Sequence, residues 1–541
     1  MQARIVDEMT ITMRLDQLIS GLEIACPDAG TDLASVRICD ITEDSRTAVP
    51  GSLFIARAGT RDDGLRYVEP AVECGAVAVL ADESQADRIE LPPRSPVVVL
   101  VSKDVPLAGA LLAERFYGDP ASKLVCAGVT GTNGKTTIAH LAHQMIEAAG
   151  VRCGLIGTVE IDDGRERARA TLTTPPAVEL SRTLATMVEH SCKAVVMEVS
   201  SHALDQQRVG GIWFDAAAFT NLTGDHLDYH KTLAHYTASK ARLFARLKDD
   251  GLAVINSDDA AANDMIRACP AGAQVVRCGR TGGGEAGIEI EDESIAGMTL
   301  TLRTPGGELH ARVPVFGRYN AMNILQAAVI AQRVLTRAGI PADRQRTALQ
   351  SVLPKLVLPQ GRLERAHGEG DDVRVLVDFA HTDDALASAL GAVRAVLPQG
   401  AALWCVFGCG GDRDRTKRPR MAGVVAARAD KVVITSDNPR TEPPNRIIDE
   451  VLAGIKQSDR RRVTIQPDRS AAIHHAITHA AAGDVIVIAG KGHETEQIVP
   501  DGVGGTRTLR FDDREHARAA LRERRFRIHT PPAQQQGAAS S

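Results

Sequence analysis

Residues 128–137, with the sequence GVTGTNGKTT, constrain the fold more than any other stretch of the chain. An apolar run leads into the glycines, and the lysine and threonines that follow begin an amphipathic segment. This order predicts a strand, a phosphate-binding loop and a helix start, in which backbone N–H groups and Lys135 face the phosphates and the Thr136 hydroxyl can ligate Mg²⁺. The expected ligand is a nucleoside triphosphate. The loop is a variant of GxxxxGK[ST], because Val129 stands where that pattern has its first glycine.

Composition bounds the class of protein. At 541 residues the chain exceeds one ordinary core, so about three or four domains are expected at roughly 150 residues each. The hydrophobic share of 44% and the charged share of 24% are ordinary for a soluble globular protein. The formal net charge of −5 gives no electrostatic reason to expect nucleic-acid or membrane binding.

The cysteine pattern and the chain ends favour a cytoplasmic protein. The 10 cysteines are scattered without a CxxC pair, which favours reduced thiols. Residues 1–14 contain acids and no signal-peptide core, and no apolar run is long enough to span a bilayer. Residues 529–541 are rich in Pro, Gln, Ala and Ser, which predicts a disordered tail. We expect a monomer.

The hydrophobic pattern divides the chain into three structured units. Residues 1–120 predict a small α/β domain, and residues 121–357 form a central domain that begins with the phosphate loop. Strands and helices alternate over residues 358–528, as in a doubly wound α/β sheet. Ligands bind at the carboxyl ends of strands in such sheets, and polar motifs follow four of these strands, at 378–381, 408–414, 437–440 and 490–494.

Further candidates follow the phosphate loop within the central unit. A buried strand at 194–197 ends at Glu198, whose carboxylate is well placed to hold Mg²⁺ near the phosphates. The segment 220–228 then supplies His226, and the next predicted helix supplies Lys240. A single histidine or lysine is more often structural. The three residues therefore form a site only if the fold brings them together.

The end of the central unit changes to a β pattern. Residues 298–302 and 309–315 alternate around a Pro-Gly-Gly turn, which predicts a small β-sheet appended to the nucleotide domain. A helix is predicted over 320–338. Asn320 fits its N-cap, whereas Asn323 inside the helix is available to hydrogen-bond a base.

Several motifs together carry a resemblance to a known family. GTNGKTT at 131–137, EVSSHAL at 198–204, TNLTGDHLDYH at 220–230 and GRLE at 361–364 resemble the Mur ligase family of ATP-dependent amide-bond-forming ligases, over nearly the whole chain. DSR, FGCGGDRD, DNPR and GKGHE resemble more closely the members that add meso-2,6-diaminopimelate to UDP-N-acetylmuramoyl-L-alanyl-D-glutamate in peptidoglycan synthesis. The resemblance implies an N-terminal UDP-binding domain, a central P-loop ATPase domain and a C-terminal Rossmann-like domain.

The resemblance also implies binding roles for individual residues. The expected ATP contacts are Gly131, Thr132, Asn133, Gly134, Lys135, Thr136, Thr137, Asn323, Arg362 and Asp378. The expected contacts to the UDP-muramoyl dipeptide are Ser45, Thr60, Arg61, Asp62, Thr173, Thr174, Ser200, Gln206 and Arg208. The expected diaminopimelate contacts are Arg413, Asp437, Asn438, Pro439, Arg440, Gly490 and Glu494.

The family mechanism implies an acyl phosphate intermediate. The D-glutamyl carboxylate attacks the γ-phosphate of ATP, and the amine of diaminopimelate then attacks the acyl phosphate. The expected catalytic residues are Lys135, Glu198, His226 and Lys240. The expected Mg²⁺ ligands are Thr136, Glu198, His226 and Lys240 as its carbamate, since a plain ammonium would repel the cation.

The resemblance also bears on the choice of the added amino acid, and the sequence departs from the family pattern at two positions. Arg440 is expected to bind the second carboxylate of diaminopimelate, which lysine lacks, through paired hydrogen bonds. Leu172 stands where many members have Asn, and Phe379 replaces the tyrosine of a DYAH motif. Asp378 and His381 of that motif remain.

Two alternatives stay open at this point. One is a different ligase of the family, such as a D-glutamate or D-Ala-D-Ala adder, or folylpolyglutamate synthase. The DNPR and GKGHE motifs argue against it. The other is a nucleotide-binding module without ligase activity, which would have little use for the polar strand ends of the third unit.

Overall fold

Three predominantly parallel sheets follow one another along the chain, as the hydrophobic pattern predicts. The computed structural model describes residues 12–59, 62–91, 95–280 and 284–529. Residues 530–541 of the predicted tail lie outside these ranges. The boundaries predicted at residues 120 and 357 stay predictions, and each falls between two sheets.

The N-terminal sheet has four parallel strands in the order β3-β4-β5-β6. A short antiparallel pair, β1 and β2, precedes it. The strands are β1 (Met13–Arg14), β2 (Arg37–Ile38), β3 (Asp40–Thr42), β4 (Ser52–Ile55), β5 (Ala78–Asp82) and β6 (Val98–Ser102), and the helices are α1 (Leu15–Ile19), α2 (Val68–Glu73) and α3 (Val105–Phe116).

The central sheet has eleven strands, in the order β10-β9-β8-β11-β7-β12-β13-β14-β15-β16-β17. Its strands are β7 (Val125–Thr130), β8 (Cys153–Ile156), β9 (Glu160–Asp162), β10 (Arg167–Arg169), β11 (Ala194–Glu198), β12 (Phe214–Phe219), β13 (Leu247–Asn256), β14 (Gln274–Gly279), β15 (Ala286–Ser294), β16 (Gly297–Thr304) and β17 (Gly307–Val313). Its helices are α4 (Lys135–Ala148), α5 (Ala177–Glu189), α6 (Ser201–Asp205), α7 (Leu227–His230), α8 (Leu233–Ala245), α9 (Ala262–Arg267), α10 (Arg318–Arg337) and α11 (Ala342–Val352).

Helices cover both faces of the central sheet. Alternate residues of β7 point to opposite faces, so Val129 packs with apolar residues of α4 and α10, whereas Cys126 packs with those of α5 and α8. Because helices cover both faces, β11 is buried along its whole length, and its residues before Glu198 are all apolar. The phosphate loop follows β7, the strand between β11 and β12. The carboxyl ends of those two neighbours therefore lie beside it.

The predicted β extension of this unit is confirmed. Strands β15, β16 and β17 are antiparallel, and β15 joins them to the central sheet by pairing in parallel with β14 through Cys278 and Ala286. One prediction for the end of this unit needs correction. The helix that was expected to start at Asn320 begins at Arg318, and Gly317 is its N-cap. Asn320 instead donates from Nδ2 to the carbonyl oxygen of Phe316, so it is a buried residue of the first turn.

The C-terminal sheet has six strands in the order β18-β19-β23-β20-β21-β22, all parallel except β18. A separate antiparallel pair, β24 and β25, follows it. The strands are β18 (Glu364–Arg365), β19 (Arg374–Asp378), β20 (Leu403–Phe407), β21 (Lys431–Ile434), β22 (Val463–Ile465), β23 (Val485–Ala489), β24 (Glu496–Pro500) and β25 (Thr506–Arg510). The helices are α12 (Asp383–Ala395), α13 (Lys417–Arg428), α14 (Pro444–Leu452), α15 (Arg469–His479) and α16 (Asp513–His529).

Within the described ranges, every helix is too short or too polar to cross a membrane.

Candidate active site

The phosphate loop has a backbone that only glycine accommodates at two positions. Gly131 has φ +146°, and a Cβ there would lie 1.8 Å from Oγ1 of Thr220 at the end of β12. Gly134 has φ +90°, and a Cβ there would lie 2.8 Å from Oδ1 of Asn323 on α10. Both positions require glycine, because the backbone has a positive φ there and neighbouring elements leave no room for a side chain.

Segments distant in the sequence hold the loop in place. The backbone N–H of Thr132 donates to the carbonyl oxygen of Asn221 over 2.8 Å, and that of Asn133 donates to the Asn221 side chain over 2.9 Å. Oγ1 of Thr132 also lies 3.1 Å from the hydroxyl of Tyr236. Thr137, the last residue of the motif, is buried in the first turn of α4. These contacts fix the loop before any ligand arrives.

Glu198 at the end of β11 lies against the start of α4. Its carboxylate accepts hydrogen bonds from Oγ1 of Thr136 over 2.9 Å and from the N–H and Oγ1 of Thr158 over 2.6 and 3.0 Å. Only 1% of Glu198 is exposed. The Thr136 hydroxyl and the Glu198 carboxylate are oxygen donors on one cavity wall, which is the donor chemistry that Mg²⁺ prefers. This part of the predicted metal set fits the ion.

His226 and Lys240 both lie against the ring of Tyr236. Nζ of Lys240 is 4.3 Å from the Tyr236 ring centroid, and the imidazole centroid of His226 is 6.3 Å from it. Lys240 is 1% exposed and donates to the carbonyl oxygen of Gly131 over 2.8 Å. His226 has φ +56°, and its Nε2 lies 3.5 Å from Oδ2 of Asp225.

The two residues differ in exposure, since 47% of the His226 side chain is exposed whereas Lys240 is buried. Partial desolvation lowers the pKa of His226 to about 4, although Asp225 opposes the shift. Burial, and then the charge of Lys135, lowers the pKa of Lys240 well below its ordinary value. Across the described residues, no three His, Cys, Asp or Glu side chains converge as a metal cluster. A second cation there would depend on Lys240 becoming an anion.

The predicted nucleotide contacts come together from both large sheets. Nη2 of Arg362 donates to Oγ1 of Thr136 over 3.3 Å, and its guanidinium lies 4.7 Å from the ring centroid of Phe379. The Asp378 carboxylate accepts from the N–H of Leu363 over 2.7 Å and that of Ala380 over 2.8 Å. Burial raises the pKa of Asp378, and Arg362 opposes this effect. The GRLE and DFAH segments are therefore one connected unit.

A cavity of about 720 Å³ separates the carboxyl ends of the central strands from the C-terminal domain. Its volume is in the range of small-molecule sites. Lys135 is part of its lining and donates from Nζ to the carbonyl oxygens of Gly131 and Thr132, both over 2.9 Å. Other lining residues from the predicted set are Thr132, Asn133, Gly134, Thr136, Thr137, Thr173, Glu198, His226, Asn323, Arg362 and Asp378.

The predicted dipeptide contacts surround the end of β11. Oγ1 of Thr174 donates to the carbonyl oxygen of Glu198 over 2.9 Å, and Oγ1 of Thr173 lies 3.0 Å from Oγ1 of Thr158. Nη1 of Arg208 donates to the carbonyl oxygen of Thr174 over 2.7 Å. Two further contacts join the predicted residues: Arg208 Nη2 to Gln206 Oε1, 2.9 Å, and Ser200 N–H to Thr174 Oγ1, 3.1 Å.

The predicted UDP contacts lie in the N-terminal domain. Ser45 is buried, and Asp62 is an exposed residue near Arg66. Thr60 and Arg61 lie outside the described residues. Burial lowers the pKa of Arg208, the charge of Arg57 adds to this effect, and the charge of Glu43 opposes it. Arg208 therefore lies within electrostatic range of the N-terminal domain.

The predicted diaminopimelate residues form a cluster at the ends of β20, β21 and β23. Nδ2 of Asn438 donates to Oε2 of Glu494 over 3.0 Å, and a Cβ at Gly490, which has φ +117°, would lie 3.0 Å from Oδ2 of Asp437. Pro439 packs closely against Gly411, which follows β20. A Cβ at Gly411 would lie 1.9 Å from the carbonyl oxygen of Pro439.

Arg440 and Arg413 both border Gly410 in this cluster. A Cβ at Gly410 would lie 3.0 Å from Nη1 of Arg440 and 3.7 Å from Cγ of Arg413. Arg440 has φ +53° and donates from Nη1 to the carbonyl oxygen of Gly411 over 2.7 Å. Burial, and then the charge of Arg413, lowers the pKa of Arg440. Guanidinium groups favour carboxylate ligands, so Arg440 with the charge of Arg413 nearby is suited to bind one.

Sequence reasoning missed several residues that hold these groups. Lys491 is fully buried and donates to Oδ1 of Asn438 over 3.0 Å and to Oε2 of Glu494 over 2.8 Å, and its position within GKGHE is a signal that could have found it. Thr158 contacts Glu198, but nothing in the surrounding sequence marks it.

The chain is similar to named ligases over most of its length. It matches the Mur ligase middle domain over residues 129–331 and the Mur ligase glutamate ligase domain over residues 361–492. A relative from Synechococcus elongatus, a UDP-N-acetylmuramoyl-L-alanyl-D-glutamate--2,6-diaminopimelate ligase, is 43% identical over 92% of this chain and 96% of its own. A relative of the same name from Nostoc is 42% identical over 95% of this chain and 99% of its own.

A solved structure supports the same relationship. The structure of a UDP-N-acetylmuramoyl-L-alanyl-D-glutamate--2,6-diaminopimelate ligase superposes with a TM-score of 0.65 at 32% identity, over 96% of this chain and 100% of the other. With its two matched domains and with relatives above 40% identity over more than nine-tenths of its length, the chain belongs to the Mur ligase family.

Proposed function

We propose that this protein joins meso-2,6-diaminopimelate to UDP-N-acetylmuramoyl-L-alanyl-D-glutamate, with conversion of ATP to ADP and phosphate. The names of the relatives at 42–43% identity support this reaction. The observation that carries it is the cavity between the two large sheets, whose wall contains Lys135 of the phosphate loop together with Arg362 and Asp378. A polar cluster around Arg440 lies at the ends of the C-terminal strands.

The first step is attack of the D-glutamyl carboxylate on the γ-phosphate. Both groups are negatively charged, so their approach must be stabilised by positioning and by fixed positive charge. Lys135 and the loop N–H groups neutralise the phosphates, and Arg362 adds a guanidinium beside Thr136. Thr173, Thr174 and Arg208 hold the dipeptide carboxylate at the end of β11.

The described residues fit a role for Mg²⁺ in this step. Thr136 and Glu198 would hold one ion, and His226 with carbamylated Lys240 would help to hold a second. When bound, the ions draw charge from the phosphoryl oxygens and favour the displacement. Lys240 suits carbamylation because carbon dioxide reacts with a neutral amine, and burial lowers the pKa of Lys240 well below its ordinary value. The resulting carbamate is an oxygen donor, whereas the ammonium repels cations.

The second step is attack of an amine on the acyl phosphate. Arg413 and Arg440 bind the carboxylate that distinguishes diaminopimelate from lysine, through charge-assisted hydrogen bonds. Asn438 and Glu494, held together by buried Lys491, face the amino-acid end of the molecule. We expect small-molecule substrates only, a monomer, and a cytoplasmic location.

The reaction is tested by supplying the purified protein with ATP, Mg²⁺ and the UDP-muramoyl dipeptide. Diaminopimelate, L-lysine, D-glutamate and D-Ala-D-Ala are compared as acceptors, and both phosphate release and the product mass are followed. We expect the tripeptide to form fastest with diaminopimelate, with L-lysine as a much slower acceptor. Equal rates with lysine would overturn the assignment of Arg440, and ATP hydrolysis without any amide would favour the nucleotide-binding module.

A further inference from the structure

His381 lies where the phosphate cavity approaches the amino-acid cluster. It follows β19 at the end of the DFAH segment and lines the same cavity as Lys135 and Arg362. It also lies within electrostatic range of the amino-acid cluster, because the charge of Asp437 acts on the pKa of His381. The proposed function assigns no role to His381.

The hydrogen bonding of His381 fixes its tautomer. Nδ1 lies 2.9 Å from the carbonyl oxygen of Phe379, and a carbonyl only accepts, so Nδ1 carries the proton. The neutral ring therefore has its lone pair on Nε2. Within the described ranges, Nε2 of His381 has no hydrogen-bond partner. The Phe379 ring packs edge-on against the imidazole with centroids 4.7 Å apart, which restricts its rotation.

The charges around His381 come from three elements. Burial and then the Lys417 ammonium at the start of α13 lower the pKa of His381, while Asp225 of the central domain and Asp437 after β21 oppose this shift. Nζ of Lys417 donates to the carbonyl oxygen of His381 over 3.2 Å. The ring is thus neutral at rest, and the two carboxylates stabilise the imidazolium once it takes a proton.

Two other bases near the cavity, Glu198 and Asp437, already have partners. Glu198 accepts three hydrogen bonds from Thr136 and Thr158. Asp437 faces the ammonium of Lys491 at 3.8 Å. His381 offers a neutral nitrogen with a free lone pair, which is the form a general base needs.

We propose that Nε2 of His381 is the general base that removes a proton from the ammonium group of the incoming amino acid before it attacks the acyl phosphate. This rests on the proposed function. One ammonium proton moves to Nε2, and the free amine forms the C–N bond at the D-glutamyl carboxyl carbon. The second proton leaves with the phosphate as the C–O bond breaks. The imidazolium then releases its proton to solvent.

An assay with hydroxylamine distinguishes deprotonation of the acceptor amine from formation of the acyl phosphate. Hydroxylamine is largely uncharged at neutral pH, so it attacks acyl phosphates without a base. The experiment compares unmodified protein with His381→Gln in two assays: tripeptide formed with diaminopimelate, and hydroxamate formed with hydroxylamine in its place. We expect the variant to lose about 10²- to 10⁴-fold in tripeptide formation, the usual contribution of a general base. Hydroxamate formation should change less than about threefold, since it needs no base. Alkaline pH should restore part of the tripeptide activity, as free amine accumulates.

The matched control is His367→Gln, another histidine of the C-terminal domain whose Nδ1 pairs with a backbone carbonyl, that of Val375, over 3.0 Å. His367 does not line the cavity, and its variant should keep both activities. If His381→Gln is poorly folded by circular dichroism, His381→Ala with added imidazole replaces it, and imidazole should restore tripeptide formation.

Two outcomes overturn the proposal. One is an equal loss of hydroxamate and tripeptide, which would assign His381 to nucleotide binding or to packing. The other is full tripeptide activity at neutral pH. If the unmodified protein makes hydroxamate but no tripeptide with any acceptor, the proposed function fails instead, so the two failures are distinguishable.

Discussion

Lys135 and Lys240 donate to the same acceptor, the carbonyl oxygen of Gly131, over Nζ–O distances of 2.9 and 2.8 Å. Lys135 begins α4 and Lys240 lies in the middle of α8. Two ammonium groups at one carbonyl repel each other, and burial disfavours both charges. Lys135 of the phosphate loop and Lys240 of α8 therefore share one acceptor, and burial lowers the pKa of both.

Replacing Lys240 tests the carbamate. Lys240→Ala should lower ligase activity by at least about 100-fold, the upper range for loss of a metal-site partner. Short carboxylic acids should restore part of the activity, because they return an anionic oxygen to the vacated space. Phosphate release measures both effects. Lys248→Ala, which removes a lysine paired with Asp215 instead, should stay active and gain nothing from the acids. Full activity of Lys240→Ala would refute the carbamate.

Glu198→Gln keeps the size of the side chain and removes its charge. We expect ligase activity to fall on the order of 10²- to 10³-fold, as when one preorganised electrostatic group is lost. The Mg²⁺ concentration needed for half-maximal rate should rise, which activity titrations measure. Glu189→Gln, at the exposed end of α5, serves as the control. An unchanged Mg²⁺ requirement would show that Glu198 supports the loop without binding the ion.

Arg440→Lys tests the choice of amino acid. Lysine cannot reproduce the paired hydrogen bonds of arginine, so about 1.5 to 3 kcal/mol of binding should be lost. At about 1.4 kcal/mol per tenfold change, kcat/KM for diaminopimelate should fall about 10- to 100-fold. The rate with L-lysine should not fall, because it lacks the second carboxylate. Arg446→Lys, on the exposed face of α14, is the matched control. An equal loss for both acceptors would contradict the assignment.

Glu442 should make the protein sensitive to acid. Hydrogen bonds from the fully buried Arg418 lower the pKa of Glu442 from about 4.5 to about 2. A depressed carboxyl pKa stabilises the fold above the unfolded-state value, and this stability disappears as the pH falls. The free energy of unfolding should therefore decrease between about pH 4.5 and about pH 2.

Urea denaturation of Glu442→Gln measures this contribution. The variant should be less stable at neutral pH by about 1–3 kcal/mol, and it should lose less stability on acidification than the unmodified protein. Glu308→Gln, which changes an exposed carboxylate of β17, should behave like the unmodified protein. If Glu442→Gln retains the full acid dependence, another carboxyl group causes it.

Local sequence was sufficient to predict a helix or strand wherever the structure of that segment depends on its own residues. The helix start predicted after the phosphate loop is α4, which spans Lys135–Ala148, and the strand predicted at 194–197 spans Ala194–Glu198. Both predictions are confirmed, because apolar periodicity and a glycine-rich start are local features. The start of α10 was wrong by two residues, since Gly317 caps the helix and Asn320 is drawn into the interior.

The sequence by itself determined the phosphate loop, the alternation of strands and helices, the family, and which side chains are candidates for chemistry. Only the tertiary structure decided which candidates meet. Thr136 and Glu198 are separated by 62 positions, yet they share a hydrogen bond because β11 pairs directly with β7. The partners Thr158 and Lys491, the burial of Lys240 and the free nitrogen of His381 follow from packing between distant segments. Such contacts depend on strand order and layer packing, which no local pattern encodes.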